Sequence, residues 1–472
     1  MMSDDDVPLC VDMDGTLVRS DLSIESVLAL VRRNPLYLFV LPFWLLRGLA
    51  YCKREIARRI VPDVSQLPFD PRMLGWLREQ FTRPRVLCTA SDQRVAEAVA
   101  ARVGLFDAVL ASDGKVNLSG RRKAAALVAR YGEHGFDYAG NSRADLAVWT
   151  KARRAIVVNA RPDVLRSARK RAKIDRVFAP ATGVWGELLR ALRPHQWTKN
   201  LLIFVAPLAA HRIDPELVRH SLIACVAFCL CASAAYLLND LIDLDADRAH
   251  PRKHLRPFAD GRLSLLAGVS GVPILILAAF ACALLLPMPF TWTLLTYVVT
   301  TLVYSLWLKR LPVIDVLVLA GLYTLRIVAG GAAVAVDIST WLIAFAMCLF
   351  LGLALLKREI EFSRLAKAPA AVLRGRGYRL RDRGWLRVVG IAAGGAAVGV
   401  LAFYIDSTKS AELYAQPQRL WWLVPLLAAW LVRLWTLASR GRMHDDPLVF
   451  ALTDWVSLLA LAAASGLVLL AL

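Results

Sequence analysis

Apolar and polar positions alternate on two different scales along this chain. Up to about residue 180, short apolar runs are separated by charged stretches of helical periodicity. Short buried runs alternating with amphipathic stretches predict a soluble α/β domain over 1–182. From about residue 190 the apolar runs lengthen to bilayer dimensions. Nine spans are predicted near 198–212, 217–239, 265–287, 290–308, 313–335, 338–356, 386–405, 420–437 and 451–472, making 183–472 an all-α transmembrane bundle. The first span is short and contains Pro207, which a membrane helix tolerates where neighbours satisfy the freed backbone groups.

Composition agrees and narrows the picture. The 472 residues are 57% hydrophobic and 20% charged, with a formal net charge of +20. So much apolar surface excludes disorder. Repeated bilayer-length runs set the basic balance apart from that of a nucleic-acid binder. The charge is also sorted. Loops 240–264, 309–312, 357–387 and 438–450 carry 19 Lys/Arg, whereas the opposite side has only Arg212, Arg219, Lys409 and Arg419. The positive-inside rule places the rich side, and with it the N-terminal domain, in the cytoplasm of a multi-pass bacterial inner-membrane protein. Residues 1–7 are acidic, opposite to the basic start of a secretory signal. The apolar stretch 36–51, interrupted by Pro42 and Arg47, reads either as a lid lying on the membrane or as a buried hairpin of a soluble cap. The eight cysteines form neither a zinc pattern nor a disulfide framework.

Candidate chemistry appears first at Leu9-Cys10-Val11, a buried-strand candidate running into Asp12-Met13-Asp14-Gly15-Thr16-Leu17. Two carboxylates two residues apart at a strand end can divide labour, one attacking phosphorus and one moving the leaving-group proton. A cation must offset the repulsion between carboxylate and phosphate. A second strand ends at Thr89-Ala90-Ser91, Lys123 opens a helical stretch, and a third strand ends at Gly140-Asn141-Ser142 with Asp145 following. This order resembles the haloacid dehalogenase (HAD) superfamily over roughly residues 7–160. The resemblance implies a Rossmannoid fold with a helical cap at 20–80. It implies Asp12 as nucleophile, Asp14 as general acid/base and Thr89 and Lys123 as phosphate holders. Asp12, Asp14 (through its carbonyl) and Asp145 become the Mg²⁺ ligands. The family usually carries Asp where this chain has the uncharged Asn141.

The second span ends in an acidic run. Asn239, Asp243 and Asp247 recur every four residues, and Asp240 falls on nearly the same face. Clustered carboxylates at a membrane-helix end repel one another unless a cation binds, and Mg²⁺ bridging a diphosphate is the economical occupant. Cations gather on the same predicted side: Lys199, Lys253, Arg256, Lys309, Lys357, Arg358, Arg374, Arg376 and Arg379. Asn239-Asp240-x-x-Asp243-x-x-x-Asp247 and Tyr304-x-x-x-x-Lys309 resemble the UbiA-type intramembrane prenyltransferase superfamily over about 190–472. The resemblance implies Asp243, Asp247, Tyr304 and Lys309 as catalytic and Asn239, Asp243 and Asp247 as metal ligands. Usual members carry a second Asp-rich loop after span six, and here that position reads Lys357-Arg358-Glu359-Ile360-Glu361.

The run Arg193-Pro194-His195-Gln196-Trp197-Thr198-Lys199-Asn200, the His250-Pro251-Arg252-Lys253 segment and Arg442-Met443-His444-Asp445-Asp446-Pro447 resemble the decaprenyl-phosphate phosphoribosyltransferase branch. That branch implies phosphoribosyl pyrophosphate as donor and a polyprenyl phosphate as acceptor. Lys199, Asn239, Asp240, Lys253, Arg256, Lys357, Arg358 and Arg376 would hold substrate. The HAD-like domain would then dephosphorylate the product. The rival reading is a prenyltransferase that alkylates an aromatic acceptor, carrying a non-catalytic HAD-like module. Membrane lipids are expected around the spans, nucleic acid is not an expected partner, and the oligomeric state stays open.

Overall fold

The structure is a computed structural model that describes residues 6–180, 183–209, 211, 214–365, 377–443 and 446–472. The chain forms two compact units. One is 1–192 together with Tyr236–Val272, and the other is Arg193–Ala235 together with Pro273–Leu472.

The first unit is built on a six-stranded parallel sheet of order β3-β2-β1-β4-β5-β6. Its strands are β1 (Leu9–Val11), β2 (Arg85–Asp92), β3 (Ala108–Ser112), β4 (Asp137–Gly140), β5 (Arg154–Val158) and β6 (Ile174–Phe178). β1 is fully buried and pairs with both β2 and β4. The order therefore reverses at β1, and the crevice beyond the carboxyl ends of β1 and β4 is where open α/β sheets take ligands. After β1 come helices α1 (Leu22–Arg33), α2 (Tyr37–Leu46), α3 (Leu49–Ala57) and α4 (Pro71–Glu79). The sequence sets their starts. Asp21 accepts from the Ser23 and Ile24 amides, and Asp70 caps α4 with Pro71 at its first position. Helices α5 (Gln93–Val103), α6 (Arg121–Tyr131), α7 (Leu146–Trp149), α8 (Pro162–Arg171) and α9 (Val184–Leu192) complete this part. Two apolar cores contain opposite-facing residues of β1, one with Leu9 and Val11 and the other with Cys10.

The remaining helices are α10 (Val205–Ala209), α11 (Pro215–Ile242), α12 (Leu244–Arg248), α13 (Leu265–Ala283), α14 (Met288–Leu306), α15 (Ile314–Ala333), α16 (Thr340–Leu365), α17 (Arg383–Ile405), α18 (Thr408–Leu413), α19 (Leu423–Ser439), α20 (Pro447–Thr453) and α21 (Trp455–Ala471). Among the described residues, six helices are long and apolar enough to cross a membrane, or seven if the bent pair α20–α21 is one span. With α20–α21 taken as one span, the nine expected spans differ at two places. In the 198–212 stretch, residues 198–204 belong to the 3-10 segment Pro194–Phe204, the five-residue α10 follows, and 210 and 212 lie outside the described residues. Helix α14 has the expected length, but five threonines dilute its hydropathy. Within the second unit Gly390 and Gly394 of α17 face Gly352 of α16, where an added Cβ would sit 3.3 Å from the Gly390 carbonyl. Small residues four apart are the usual means of close helix approach in lipid. All eight cysteines are free.

Candidate functional sites

At the β1/β4 crevice, five predicted residues meet: Asp12, Asp14, Thr89, Lys123 and Asp145. Lys123, buried at the start of α6, donates to Asp12 Oδ1 at 2.8 Å and lies 3.9 Å from Asp145 Oδ1. It also donates to the Tyr138 hydroxyl at 2.8 Å, which in turn donates to Asp145 Oδ1 at 2.8 Å. Asp145 Oδ2 accepts from the Asn141 and Ser142 amides and the Ser142 hydroxyl, so its own turn fixes it. Asp14 accepts from the Leu22 amide at 2.8 Å and the Ser91 hydroxyl at 2.8 Å, with Thr89 Oγ1 3.5 Å away. Gly15 makes this turn possible. Its φ is +75°, and a Cβ there would lie 1.8 Å from Asn141 Nδ2.

Electrostatics follow from crowding three carboxylates out of water. Burial, opposed by Lys123, pushes Asp12 up to about 7. Burial and the nearby Asp21 push Asp14 up to about 6. Burial alone would lower Lys123, but Asp12 and Asp145 override it and hold the ammonium above its ordinary range. The oxygens of Asp12, Asp145 and the neutral Asn141 are hard donors of the kind Mg²⁺ takes. Sequence reasoning missed Lys53. It reaches from α3 to the Ala90 carbonyl at 2.7 Å, and burial lowers its proton affinity. A lone lysine in an apolar hairpin was the available signal.

The acidic run keeps its predicted spacing. The Asp243 amide donates to Asn239 O and the Asp247 amide to Asp243 O, so these residues sit one turn apart although the helix breaks at Asp243. One Arg256 nitrogen, Nη1, touches Asp240 at 3.0 Å and Asp247 at 2.5 Å. Two carboxylates are thus already within reach of a single cation, and the buried Asn239 Oδ1 accepts no hydrogen bond among the described residues. These hard donors fit a divalent cation completed by phosphate oxygens and water. Among the described residues, however, no three His, Cys, Asp or Glu side chains converge as a ready-made metal cage. Lys253 is exposed beside this group.

The run is braced within its own unit. Arg248 makes a bidentate pair with Glu25 of α1 at 2.9 and 2.6 Å, both side chains being 4% exposed. Arg32 of α1 reaches the Ile242 carbonyl at 3.2 Å and pairs with Asp245. Neither Glu25 nor Arg248 carries a motif that would announce it.

In the second unit Lys199 and Lys357 converge on Asp446 Oδ2 at 2.6 and 2.9 Å. The two ammonium groups hold that carboxyl well below its usual range despite burial. Arg358 corrects an expectation. It is fully buried, bonded through Nε to Asp315 at 2.9 Å and through Nη1 to Glu361, which makes it a brace rather than a surface for phosphate. Tyr304 and Lys309 are half-buried near the end of α14 and in the following 3-10 turn. Arg374 and Arg376 lie outside the described residues. Arg326, inside α15, is a further buried cation that the sequence reading passed over. It bonds Asn200 Oδ1 at 2.9 Å and the Tyr297 hydroxyl at 3.0 Å. An arginine inside a membrane span is itself a signal of function.

Residues 200–446 match the model of the UbiA prenyltransferase family. This exceeds half of the chain, which therefore belongs to that family and is a multi-pass membrane protein with an added parallel α/β domain. Among relatives, a Sinorhizobium fredii protein designated y4nM is 36% identical over 459 residues, 96% of this chain and 88% of its own. A Mycolicibacterium smegmatis protein named decaprenyl-phosphate phosphoribosyltransferase is 30% identical over 286 residues, 59% of this chain and 89% of its own. Among solved structures, a UbiA homolog from Archaeoglobus fulgidus bound to DMAPP and Mg²⁺ is 17% identical with a TM-score of 0.46, covering 60% of this chain and 98% of that one.

Proposed function

We propose that the membrane part transfers 5-phosphoribose from phosphoribosyl pyrophosphate to a polyprenyl phosphate, and that the N-terminal domain then removes the 5-phosphate. The observation that carries this reading is the Lys199–Asp446–Lys357 group. Two ammonium groups share one carboxylate, which leaves the group with an excess of positive charge. An excess of fixed cations suits substrates rich in phosphate. The relatives named decaprenyl-phosphate phosphoribosyltransferase support the same donor and acceptor.

In this reading Asn239, Asp243 and Asp247 would hold Mg²⁺, which would supply positive charge for the pyrophosphate, and Asp240 would bind substrate beside them. Arg256 exchanges its carboxylates for donor phosphate oxygens. Lys199 and Lys357 hold phosphate, and Tyr304, Lys309 and Lys253 serve the same substrates. The acceptor phosphate is already anionic, so attack on the anomeric carbon needs no strong protein base. At the first site Asp12 attacks phosphorus and Asp14, held near 6, gives its proton to the leaving ribose oxygen. Lys123, Thr89 and Ser91 hold the phosphate oxygens, and Asp12 and Asp145 hold Mg²⁺ there. Both sites are assigned to the cytoplasmic face of the inner membrane.

The test is an incubation of purified protein with phosphoribosyl pyrophosphate, Mg²⁺ and a short polyprenyl phosphate. A ribosylated lipid and free phosphate are expected. No ribosylated lipid would overturn the transferase assignment, and phosphate release that survives Asp12→Asn would overturn the hydrolase assignment.

A further inference from the structure

The outer face of α2 has no counterpart in a water-soluble cap. Phe39 is 73%, Phe43 68% and Leu46 85% exposed, and Leu36, Leu38, Leu45 and Leu49 are exposed beside them. The inner face is satisfied, since Trp44 packs with Leu30, Cys52 and Ile56 of the neighbouring helices. No acidic residue occurs from Asn34 to Arg54, whereas Arg33 and Arg47, just before and just after α2, are exposed. A broad exposed apolar face marks an interaction surface, and cations at its two ends match lipid phosphates.

The same unit contains the end of α11, a helix long and apolar enough to cross a membrane, and Arg32, five residues before α2, donates to the carbonyl of Ile242, the last residue of that helix. α2 therefore begins within a short stretch of chain from a membrane boundary. Its partner helix α3 carries Lys53, whose ammonium reaches the Ala90 carbonyl between Thr89 and Ser91 of the Asp12 site.

The geometry points to the α2–α3 hairpin as a bilayer-immersed element that holds the mouth of the Asp12 site at the lipid surface, so that its substrate is a phosphate monoester carried on a lipid. The immersion stands on the patch and the Arg32–Ile242 contact; the substrate class rests on the hydrolase reading above.

Two measurements on the full chain in nanodiscs separate these. First, Cys225, Cys229, Cys282 and Cys348 are replaced by alanine and a spin label is placed at Phe39→Cys. Accessibility to oxygen with exclusion of a water-soluble nickel chelate, matching a label at Leu277→Cys in α13, is the expected result. Nickel access equal to that at Glu133→Cys overturns immersion. Protection from both reagents, with cross-linking between labelled copies, also overturns it by making a second copy the occupant. Second, the triple variant Phe39→Ser, Phe43→Ser, Leu46→Ser is compared with the parent. Hydrolysis of p-nitrophenyl phosphate should keep its kcat/KM within twofold, while hydrolysis of polyprenyl-phosphoryl-5-phosphoribose in vesicles should fall at least tenfold. Equal effects on both substrates overturn the lipid-borne substrate. If the parent hydrolyses neither, the hydrolase reading and with it the substrate class fail, and the label still decides immersion.

Discussion

The first unit holds two acidic groups, and they are neutralised in opposite ways. At the sheet, Lys123 sits between Asp12 and Asp145 with its side chain 4% exposed, and the Tyr138 hydroxyl links Lys123 to Asp145. At the end of α11, the cation between Asp240 and Asp247 is Arg256, a loop residue with its side chain 27% exposed. A lysine buried on a helix against a strand cannot leave without breaking the core around it. An arginine on a loop can turn away at little cost. On the function proposed above, the first group would keep one arrangement while a phosphate comes and goes, and the second would trade its counter-ion for a metal and a polyanion. The difference would then separate a fixed pocket from a site that assembles on substrate.

Cross-wise substitution is the strongest test of that separation. Asp12→Asn should abolish phosphate release, by on the order of 10³-fold or more, while lipid ribosylation stays within twofold. Asp247→Asn should do the reverse, with a loss on the order of 10²–10³-fold in transfer and unchanged hydrolysis of p-nitrophenyl phosphate. Parallel assays of phosphate and labelled lipid read both, and a shared loss would mean that the two groups serve one reaction.

Stability should split along the same line. Lys123→Met strands two buried carboxylates and should cost about 3–5 kcal/mol. Arg256→Met also takes the cation from two buried carboxylates, but water reaches the partly exposed position of its head group, so the cost should be smaller, about 1–3 kcal/mol. Glu25→Gln belongs with the first case, because it leaves Arg248 buried beside a neutral amide. Thermal unfolding of the three variants, followed in the full chain, orders them.

Much of this contrast was legible in the sequence. The Asp12-x-Asp14 pair, Lys123 and Asp145 each follow or open an element whose period is clear, and it was the resemblance of that order to the HAD superfamily that implied their meeting. Spacing by four placed Asn239, Asp243 and Asp247 on one face, and the backbone hydrogen bonds keep it. What was not legible is partner choice across long separations. Arg358 stands in a basic run that reads as a phosphate contact, yet Asp315 and Glu361 claim it. Glu25 and Arg248, 223 residues apart, carry no pattern that links them. The 198–212 stretch reads as a span because its composition is apolar, and hydropathy does not register that it begins as a 3-10 segment through Phe204 and continues as only a five-residue helix.

A smaller effect sharpens the role of Arg256. Arg256→Ala frees Asp240 and Asp247, so the Mg²⁺ concentration for half-maximal transfer should fall. The same change removes a phosphate contact, so KM for the donor should rise about tenfold, equivalent to about 1.4 kcal/mol. Mg²⁺ titrations at fixed donor, and donor titrations at saturating Mg²⁺, separate the two. Movement of both constants in the same direction would mean that Arg256 does not exchange partners.

The least effect is expected from pH at Asp70, and it isolates what drives Asp12. Both carboxylates are buried, and burial alone raises both. At Asp12 burial wins. At Asp70 the hydrogen bonds from Arg72 and Asn159 outweigh it and hold the carboxyl well below its ordinary range. A folded-state value depressed below the unfolded one means that the unfolded chain binds the extra proton. Asp70 therefore contributes its stability above the ordinary carboxylate range of about 3.9 and loses it as pH falls towards the lower folded value. The stability gap between Asp70→Asn and the parent should be flat from pH 8 to pH 5 and narrow only below about pH 4. Denaturant unfolding across that range measures it. A gap that narrows already near pH 6 would mean that burial dominates at Asp70 as it does at Asp12, and that the bonds from Arg72 and Asn159 do not outweigh it.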